Sequence, residues 1–353
     1  MKSKIEALSI DSQSSILAAL KRMDAVNRKL LIVTEKEKFK SLLSIGDIQR
    51  AIIQNRDLKE PINNILRAEV KVAHQAEDRE AIKTNMRERR NEFMPIIDSQ
   101  RKVIEIIFWE DLFETSKIKD NSLKDIPVVI MAGGKGSRLQ PLTNVLPKAL
   151  IPIGKQTIIE DIMDRFADFS CRDFYVSLNY KADMIRQYLK EQNKSSFNIA
   201  YCQETQPLGT AGSLYLLKDS IQSTFFVSNC DILIDEDYGE ILNYHRENYN
   251  EITVVGALKS MSLPYGSLET TKGGVLKTLS EKPEFTFKIN TGMYILEPQL
   301  LHEIPENRFY DITDLIQSLL IKKRKVGVFP INQRSWVDIG NWDEYLQIIK
   351  QKI

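Results

Sequence analysis

A glycine-rich segment near the middle of the chain has the residue types that hold phosphate groups. It reads Ala132-Gly133-Gly134-Lys135-Gly136-Ser137-Arg138-Leu139 and follows a short apolar run at 128–131. Glycine has no Cβ, so backbone N–H groups can approach phosphate oxygens, and a helix beginning just after the loop would attract an anion further. The segment lacks the spacing of a Walker A loop and the full dinucleotide fingerprint. We predict a phosphate-binding turn followed by a helix, with candidate contacts at Ala132, Gly133, Gly134, Gly136 and Ser137.

Further polar side chains could complete a nucleotide site. Arg138 offers a planar fork for phosphate oxygens, and Lys148 offers a mobile point charge. The amide of Gln203 can pair with both a donor and an acceptor on a base edge, and a Pro-Leu-Gly turn follows it. Asp231 follows a buried strand run at 225–228, which predicts a position at the carboxyl edge of a parallel sheet, where ligands bind.

The order of these motifs resembles the signature of the sugar-phosphate nucleotidyltransferases, also called nucleotide-sugar pyrophosphorylases. The likeness runs from the glycine-rich loop through Pro141-Leu142-Thr143 and Pro147-Lys148-Ala149-Leu150 to the end of the chain. Three positions depart from the family pattern. Ser137 stands where threonine is usual, Cys230 replaces the glycine before Asp231, and Asn341 replaces a threonine after Gly340.

The resemblance implies that a nucleoside triphosphate and a sugar 1-phosphate react to give a nucleotide-sugar and pyrophosphate. Arg138 would hold the β- and γ-phosphates, Lys148 would contact the phosphates at the reacting centre, and Lys282 would neutralise the sugar phosphate. Asp231 and Asp338 would bind Mg²⁺, which needs little more than two carboxylates, substrate phosphates and water. The base would be contacted by Gln203, Pro207, Gly209 and Thr210, and the sugar by Asn229, Gly266, Glu281 and Asn290.

The turn from Pro207 to Gly212 resembles the guanylyltransferase branch of the family, including enzymes that act on mannose 1-phosphate. GTP is therefore the expected nucleotide. A uridylyl- or thymidylyltransferase acting on glucose 1-phosphate is the alternative within the class. A non-catalytic regulatory subunit that binds nucleotide-sugars is the alternative outside it, although Arg138, Lys148 and Asp231 are all present.

Strand and helix patterns alternate through the part of the chain that carries these motifs. Strand runs at 128–131, 173–178 and 223–229 are interspersed with helical patterns at 182–191 and 237–249. A further strand is expected to end at Asn290-Thr291-Gly292. This alternation is typical of a mostly parallel sheet covered by helices. We expect an α/β domain over 127–353, Rossmann-like and GT-A-like, with a mostly parallel mixed sheet.

Residues 1–118 contain an internal repeat. Two units of helix, strand, strand and helix, at about 1–58 and 59–118, recur 64 residues apart. One unit alone could not bury its sheet face, so the two should pack together. The polar segment 119–126 has little to bury and is expected to be a linker.

The repeat resembles a pair of cystathionine-β-synthase-type (CBS) modules. The run from Ser41 to Asp47 keeps the module's signature except for its initial glycine, which implies that Ser44 binds a phosphate and Asp47 a ribose of a regulatory nucleotide. The second copy has Phe108 in place of the hydroxyl. A purely structural or dimer-forming pair is the alternative. A CBS pair fused to this domain also resembles enzymes of bacterial nonulosonate (legionaminic acid) pathways, which use glucosamine 1-phosphate and GTP.

Composition excludes several other classes of protein. The 353 residues include 49 Lys and Arg and 48 Asp and Glu, so the net charge of +1 argues against a nucleic-acid binder. The densest basic patch, Arg87-Glu88-Arg89-Arg90, is interpreted as a solvated helix face. No apolar run approaches the ~20 residues of a membrane helix, and the N-terminus lacks the apolar core of a signal peptide. Scattered cysteines and histidines argue against a zinc site, and the cysteines favour a reduced, cytoplasmic protein. A homo-oligomer is also expected.

Overall fold

The chain divides into two units, residues 1–118 and 119–353, in the computed structural model. The structure describes residues 2–89, 92–112, 120–192 and 196–352. Arg90 of the basic patch lies outside this description, as do the side chains of Arg87, Glu88 and Arg89. Position 119, the first residue of the expected linker, also lies outside it. Within the described ranges, no helix has the length and apolar character needed to cross a bilayer.

The N-terminal unit repeats one arrangement of strands and helices. Its elements are α1 (Lys2–Leu8), β1 (Ser9–Asp11), α2 (Ile16–Val26), β2 (Leu30–Glu35), β3 (Lys38–Ser44), α3 (Ile45–Ile53), β4 (Ala73–His74), α4 (Arg79–Arg89), β5 (Phe93–Ile97), β6 (Val103–Phe108) and α5 (Trp109–Leu112). Two three-stranded sheets, β1-β2-β3 and β4-β5-β6, each combine one parallel and one antiparallel pairing. The repeat expected from the 64-residue spacing is therefore present as two βαββα units.

Hydrophobic side chains from both copies of the repeat form one shared cluster. Leu30, Ile32 and Leu42 of the first copy pack with Phe93 and Ile106 of the second. Each sheet buries its apolar face against the other copy, which neither could do alone. The expectation that the two units pack together is confirmed.

The C-terminal unit contains the longer run of elements. They are β7 (Val128–Met131), α6 (Leu142–Val145), β8 (Pro152–Ile153), β9 (Gln156–Thr157), α7 (Ile158–Ala167), β10 (Asp173–Leu178), α8 (Ala182–Glu191), β11 (Asn198–Gln203), α9 (Gly209–Gly212), β12 (Phe225–Asn229), β13 (Ile232–Ile234), α10 (Tyr238–Glu247), β14 (Ile252–Ser262), β15 (Ser267–Thr270), β16 (Leu276–Ser280), β17 (Glu284–Leu296), α11 (Ile312–Ile321), β18 (Val326–Ile331), β19 (Trp336–Asp338) and α12 (Trp342–Lys352).

A seven-stranded mixed sheet with the order β11-β10-β7-β12-β17-β14-β18 forms the centre of this unit. Strands β11, β10, β7 and β12 run parallel, and only β17 is antiparallel to both of its neighbours. Side chains alternate between its two faces, so that Val128 and Ile130 join one core cluster while Val129 joins the other. The expected mostly parallel sheet, covered on both faces, is confirmed.

The segment 120–126 is not the free linker expected from its composition. Leu123 is fully buried and Ile126 nearly so, both in the core of the C-terminal unit. The Leu123 N–H donates to the Phe169 carbonyl at 3.0 Å, and the Ser170 hydroxyl donates to the Asp120 carbonyl at 2.6 Å. Two apolar side chains are enough to anchor this otherwise polar segment.

The helix expected after the glycine-rich loop is present only as short helical turns. Residues Ser137–Leu139 make one 3₁₀ turn, and α6 has only four residues. Pro141, Pro147 and Pro152 prevent continuation, because proline lacks an N–H donor and disfavours helical backbone in the residue before it. A helix dipole therefore contributes little to anion binding at this loop.

Asn290, Thr291 and Gly292 were expected to end a strand but lie inside β17. The pairing with β14 shifts register between Val254 and Gly256, opposite these residues, and Gly292 has a φ of +87°. This β-bulge bends the strand without ending it and re-aims the side chains around it.

Strands β14 and β17 extend beyond the sheet and, with the hairpin β15–β16, form a β arm, defined as residues 259–289. Every residue of the β arm is exposed or half-buried.

Candidate active site

The carboxyl ends of four parallel strands meet at one edge of the seven-stranded sheet. The glycine-rich loop follows β7, Asn179 follows β10, Glu204 follows β11, and Asp231 lies two residues beyond β12. Ligands bind at such an edge in open α/β sheets. All four features line one cavity of about 500 Å³.

Two glycines of the loop, Gly136 and Gly134, have opposite surroundings, one packed and one open. Gly136 has a φ of +64°, and a Cβ there would lie 2.8 Å from Thr143 Cγ2 and 3.2 Å from Lys148 Cβ. The Thr143 hydroxyl donates to the Gly136 carbonyl at 2.9 Å. A Cβ on Gly134, in contrast, would meet no atom within 4 Å. The loop is therefore packed tightly beside Thr143 and open at Gly134, which lines the cavity.

An ion pair joins Lys148 to Asp231 at the cavity. The side chains are only 9% and 17% exposed, respectively. Charges removed this far from water are tolerated only when paired or ligated. Lys148 and Asp231 are thus held together beside the glycine-rich loop.

Strand pairing brings the second aspartate to the first. Strand β19 pairs antiparallel with β13, which places Asp338 opposite Ile232, the residue after Asp231. The Ile339 N–H donates to the Asp231 carbonyl at 2.7 Å. Arg138 reaches the same place, since a Cβ on Gly340 would lie 3.0 Å from Arg138 Nη2 and 2.5 Å from Asp338 Oδ1.

These two carboxylates fit a magnesium ion by their donor chemistry. Carboxylate oxygens are preferred ligands of Mg²⁺, which commonly takes one or two of them and completes its shell with phosphate oxygens and water. The described residues contain no group of three or more His, Cys, Asp or Glu side chains that could enclose a metal. A site formed by Asp231 and Asp338 would therefore depend on the bound substrate.

Two segments that hydrogen bond to each other also line the cavity. The Tyr310 N–H donates to the Leu208 carbonyl at 2.8 Å, and the Thr210 N–H donates to Asp311 Oδ1 at 3.2 Å. Phe309, 64% exposed, lines the cavity beside Pro207, Gly209 and Thr210. An exposed aromatic face in a nucleotide cavity can stack on a base.

A second cavity, of about 440 Å³, lies in the N-terminal unit and includes Ser44 and Asp47. Asp47 is buried. Its carboxylate accepts from the Ser44 N–H at 2.9 Å, and its N–H donates to Ser44 Oγ at 3.3 Å, which together form the capping box of α3. Arg67 Nε donates to Asp47 at 2.6 Å, and Arg50 also pairs with it. In the second copy, Asp111 similarly accepts from the Phe108 N–H at 3.3 Å.

Residues 127–353 match the family model described as Nucleotidyl transferase. The chain belongs to the nucleotidyl transferase family. The mannose-1-phosphate guanylyltransferase catalytic subunit beta of Drosophila pseudoobscura pseudoobscura is 30% identical over 224 residues, covering 62% of this chain and 60% of that protein. A UTP–glucose-1-phosphate uridylyltransferase of Synechocystis sp. is 30% identical over 242 residues, covering 63% and 62%. The chain spans about three fifths of the length of these curated relatives.

Among solved structures, HddC from Yersinia pseudotuberculosis has the same fold. Its identity to this chain is 26%, and the TM-score is 0.52. The match covers 64% of this chain and 99% of that one. The fold of the nucleotidyl transferase domain thus agrees with a solved structure over its whole length.

The cavity of the nucleotidyl transferase domain includes most of the expected phosphate and base contacts, but neither Ala132, which is buried in the core, nor Gln203. Gln203 is exposed, and its Oε1 accepts from Arg186 Nη2 at 2.7 Å. Glu204 lines the cavity instead and accepts from the Leu208 N–H at 3.0 Å, the Ser177 hydroxyl at 3.2 Å and Asn179 Nδ2 at 3.4 Å. The side chains of adjacent residues at a strand end point to opposite sides of the sheet. The side chain of Gln203 therefore faces solvent, whereas that of Glu204 faces the cavity.

The residues expected to contact the sugar separate into two groups. Asn229 lines the cavity, and Gly292 beside Asn290 packs against it, since a Cβ on Gly292 would lie 2.5 Å from Asn229 Nδ2. Asn290 Nδ2 donates to the Tyr294 hydroxyl at 2.8 Å. Gly266, Glu281 and Lys282 lie on the β arm and do not line the cavity. Their assignment to the sugar stays a prediction.

Cys230 lies next to Asp231 and also lines the cavity. Burial raises the pKa of its thiol to about 12, so the thiol stays protonated near neutral pH. A protonated thiol is a poor nucleophile. Cys230 therefore contributes packing in place of the glycine that the family pattern has there.

Sequence reasoning missed Asn179, Glu204, Phe309 and Asp311 in the cavity. Asn179 directly follows the expected strand 173–178, so the edge argument applied to Asp231 would have found it. Phe309 and Asp311 have no comparable signal, because their position depends on hydrogen bonds to a segment about a hundred residues earlier.

Proposed function

We propose that residues 127–353 transfer a nucleotidyl group from a nucleoside triphosphate to a sugar 1-phosphate, giving a nucleotide-sugar and pyrophosphate. GTP is the favoured nucleotide, and mannose 1-phosphate or glucosamine 1-phosphate the favoured acceptor. One observation carries the proposal: a single cavity contains the glycine-rich loop, Arg138, the Lys148–Asp231 pair and the 207–210 turn. The named activities of the relatives support the same reaction class.

The chain's own residues position the reactants and neutralise charge. The loop N–H groups and Arg138 hold the β- and γ-phosphates, and Lys148 lies beside the α-phosphate. An oxygen of the sugar phosphate attacks the α-phosphorus in line, forming one P–O bond, while the bond to the departing pyrophosphate breaks. The attacking phosphate is already ionised, so no general base is required. The barrier falls because the reactants are oriented and their charges balanced.

Magnesium would be held by Asp231 and Asp338. When bound, it would supply Lewis-acid stabilisation of the phosphate oxygens.

Glu204 supports the preference for GTP. Guanine presents two adjacent donors, N1–H and the N2 amino group, on its Watson–Crick edge. Uracil and thymine present one N–H between two carbonyl oxygens, which a carboxylate repels. An ionised carboxylate has about four acceptor positions, and three of those on Glu204 are occupied by Ser177, Asn179 and Leu208. The remaining position suits a guanine donor.

A uridylyl- or thymidylyltransferase is the second candidate, and the Synechocystis relative's name favours it. A non-catalytic nucleotide-sugar-binding subunit is the third, although the paired Lys148 and Asp231 disfavour it. Pyrophosphate release from five nucleoside triphosphates against a panel of hexose 1-phosphates separates all three. We expect turnover with GTP at least about tenfold above UTP and dTTP. Turnover with UTP alone would favour the second candidate, and binding without any turnover the third.

Matched variants test whether the turnover belongs to this cavity. Arg138→Lys keeps the charge but loses the bidentate fork, so we expect it to lose activity nearly as fully as Arg138→Ala. Lys155→Ala, at the exposed turn between β8 and β9 and outside the cavity, is the control and should retain activity close to the parent's. Full rescue by lysine at position 138 would mean that only the charge of Arg138 matters.

We further propose that residues 1–118 are a CBS pair that binds a regulatory nucleotide at the N-terminal cavity. The two βαββα units and the position of Ser44 and Asp47 in that cavity support this. Arg67, whose side chain is 51% exposed and donates to Ser44 and Asp47, is suited to a phosphate. The competing interpretation is structural, since Ser44 and Asp47 also cap α3.

Calorimetry on the full chain with AMP, ADP, ATP, GDP and GTP tests this proposal. Arg67→Ala should weaken binding of the regulatory nucleotide about tenfold or more without unfolding the unit, because Arg67 is half exposed. Arg56→Ala, also at the surface but outside the cavity, is the control. Affinity unchanged in Arg67→Ala would reduce the N-terminal unit to a structural role. We also propose a cytoplasmic location, which the three unpaired cysteines support.

A further inference from the structure

Backbone hydrogen bonds join the 308–312 segment to the 207–212 turn, about a hundred residues earlier in the chain. The Tyr310 N–H donates to the Leu208 carbonyl at 2.8 Å. The Tyr310 carbonyl in turn accepts from two N–H groups at the end of the turn, at 3.0 and 2.8 Å. Three hydrogen bonds to a single residue hold the turn and the segment together as one unit.

Two glycines of the turn make this contact sterically possible. A Cβ on Gly209, whose φ is +76°, would lie 2.8 Å from the Tyr310 carbonyl oxygen and 2.8 Å from Asp311 Oδ1. A Cβ on Gly212 would lie 2.7 Å from the Arg308 carbonyl oxygen. Glycine permits such a close approach of two backbones. The glycine spacing of the turn therefore matches the backbone of the 308–312 segment.

The Asp311 carboxylate adds side-chain hydrogen bonds to the same contact. Its Oδ1 accepts from the Thr210 N–H at 3.2 Å and from the Thr210 hydroxyl at 3.3 Å. The Ile312 N–H donates to Thr210 Oγ1 at 3.0 Å, so the threonine hydroxyl bridges the carboxylate and the backbone of the segment. Because Asp311 and Thr210 both line the cavity, these hydrogen bonds lie in its wall.

Leu208 connects this contact to Glu204, the carboxylate that supports the preference for GTP. The Leu208 carbonyl accepts from Tyr310, and the Leu208 N–H donates to Glu204 Oε2 at 3.0 Å. A turn that moved away from the 308–312 segment would carry this N–H with it and leave an acceptor position of Glu204 unfilled. A carboxylate with fewer fixed partners is less preorganised, so it distinguishes less sharply between the edges of different bases.

We propose that Asp311 is a positioning residue for nucleotide selection, because it holds the 207–212 turn in place and thereby fixes Glu204. This inference rests on the proposed nucleotidyl transfer and on the role given there to Glu204. Asp311 also begins α11, where it forms a capping box with Asp314, and the Asp311 N–H donates to Asp314 Oδ2 at 2.9 Å. A test of the proposal therefore separates loss of this helix cap from loss of the hydrogen bonds to Thr210.

The GTP-to-UTP ratio of kcat/KM, measured on full-chain variants, makes this separation. Asp311→Ala loses the hydrogen bonds to Thr210 together with the cap, so the ratio should fall at least about fivefold. Asp311→Asn keeps an acceptor oxygen for both and should stay within about twofold of the parent. Asp237→Ala is the matched control, because Asp237 caps α10 by accepting from the Glu240 N–H at 3.1 Å and lies outside the cavity. It should lower the Tm as Asp311→Ala does but leave the ratio unchanged.

Thr210→Val leaves the cap of α11 intact and should also lower the ratio, which keeps the test valid even if Asp311→Ala does not fold. KM for the sugar 1-phosphate should match the parent in every variant. A parent-like ratio in Asp311→Ala, or an equal fall in Asp237→Ala, would overturn the inference and leave the proposed function standing. A higher KM for the sugar 1-phosphate with an unchanged ratio would also overturn it, by placing Asp311 at the sugar. A parent without turnover, or without a preference for GTP, would overturn the proposed function and this inference with it.

Discussion

Substituting alanine at Gly136 and at Gly134 separates the two tasks of the phosphate loop. At Gly136 the backbone is left-handed, with a φ of +64°, and an added Cβ would lie 2.8 Å from the methyl group of Thr143. At Gly134 an added Cβ would meet nothing within 4 Å. Alanine should therefore lower stability at position 136 and weaken substrate binding at position 134.

The magnitudes follow from these surroundings. A residue with a Cβ loses roughly 1–2 kcal/mol in the left-handed region. Overpacking against Thr143 and Lys148 adds about 1–3 kcal/mol. At roughly 2–4 °C per kcal/mol for a unit of this size, Gly136→Ala should lower the Tm of the C-terminal unit by roughly 4–20 °C. Gly134→Ala should leave the Tm within a few degrees of the parent, because its change in stability is on the order of 1 kcal/mol or less.

Substrate binding, in contrast to stability, should be impaired by Gly134→Ala. Its methyl group would enter the cavity. If the loop holds phosphate as proposed, KM for the nucleoside triphosphate should rise about tenfold, equivalent to about 1.4 kcal/mol. Differential scanning calorimetry gives the Tm, and pyrophosphate release gives KM. A parent-like Tm in Gly136→Ala would refute the strain argument. A parent-like KM in Gly134→Ala would refute the role of the loop in holding phosphate.

Three further predictions concern the metal, the base and stability. Asp231→Asn and Asp338→Asn should each lower kcat on the order of a hundredfold with parent-like circular dichroism, and near-parent rates in both would remove the metal assignment. Glu204→Gln should reduce the GTP-to-UTP ratio of kcat/KM by about 5–150-fold, or about 1–3 kcal/mol, while Gln203→Ala should not change it. Burial lowers the pKa of His245 below 6.5, so the unfolded chain binds this proton first as pH falls. The unfolding free energy should therefore decrease below about pH 6.5, and His245→Gln should show a smaller decrease in Tm between pH 7.5 and pH 5.5.

The order of elements in the C-terminal unit could be predicted because local patterns determine it. The runs at 128–131, 173–178 and 182–191 correspond to β7, β10 and α8 residue for residue. Apolar side chains that must be buried on a strand or a helix repeat with the period of that element, and this period is visible in the sequence. The repeat in residues 1–118 was visible for the same reason.

Local patterns were less informative where a few residues decide the outcome. Segment 120–126 has a linker's composition, yet Leu123 and Ile126 anchor it in the core. Prolines replaced the expected helix after the glycine-rich loop by two short turns. Gly292 let β17 continue through a bulge where the motif suggested an end.

The sequence by itself indicated the glycine-rich loop, Lys148 and Asp231 of the candidate site, because the loop and the aspartate each follow one strand and the lysine belongs to a local motif shortly after the loop. Only the tertiary structure decided which distant residues join them. Asp338 reaches Asp231 through the pairing of β19 with β13, and Phe309 reaches the cavity through hydrogen bonds to the 207–212 segment. The choice of Glu204 over Gln203 depends on which side of the sheet edge faces the cavity. These outcomes depend on the pairing and facing of segments far apart in the chain, and no periodicity within one segment encodes that pairing.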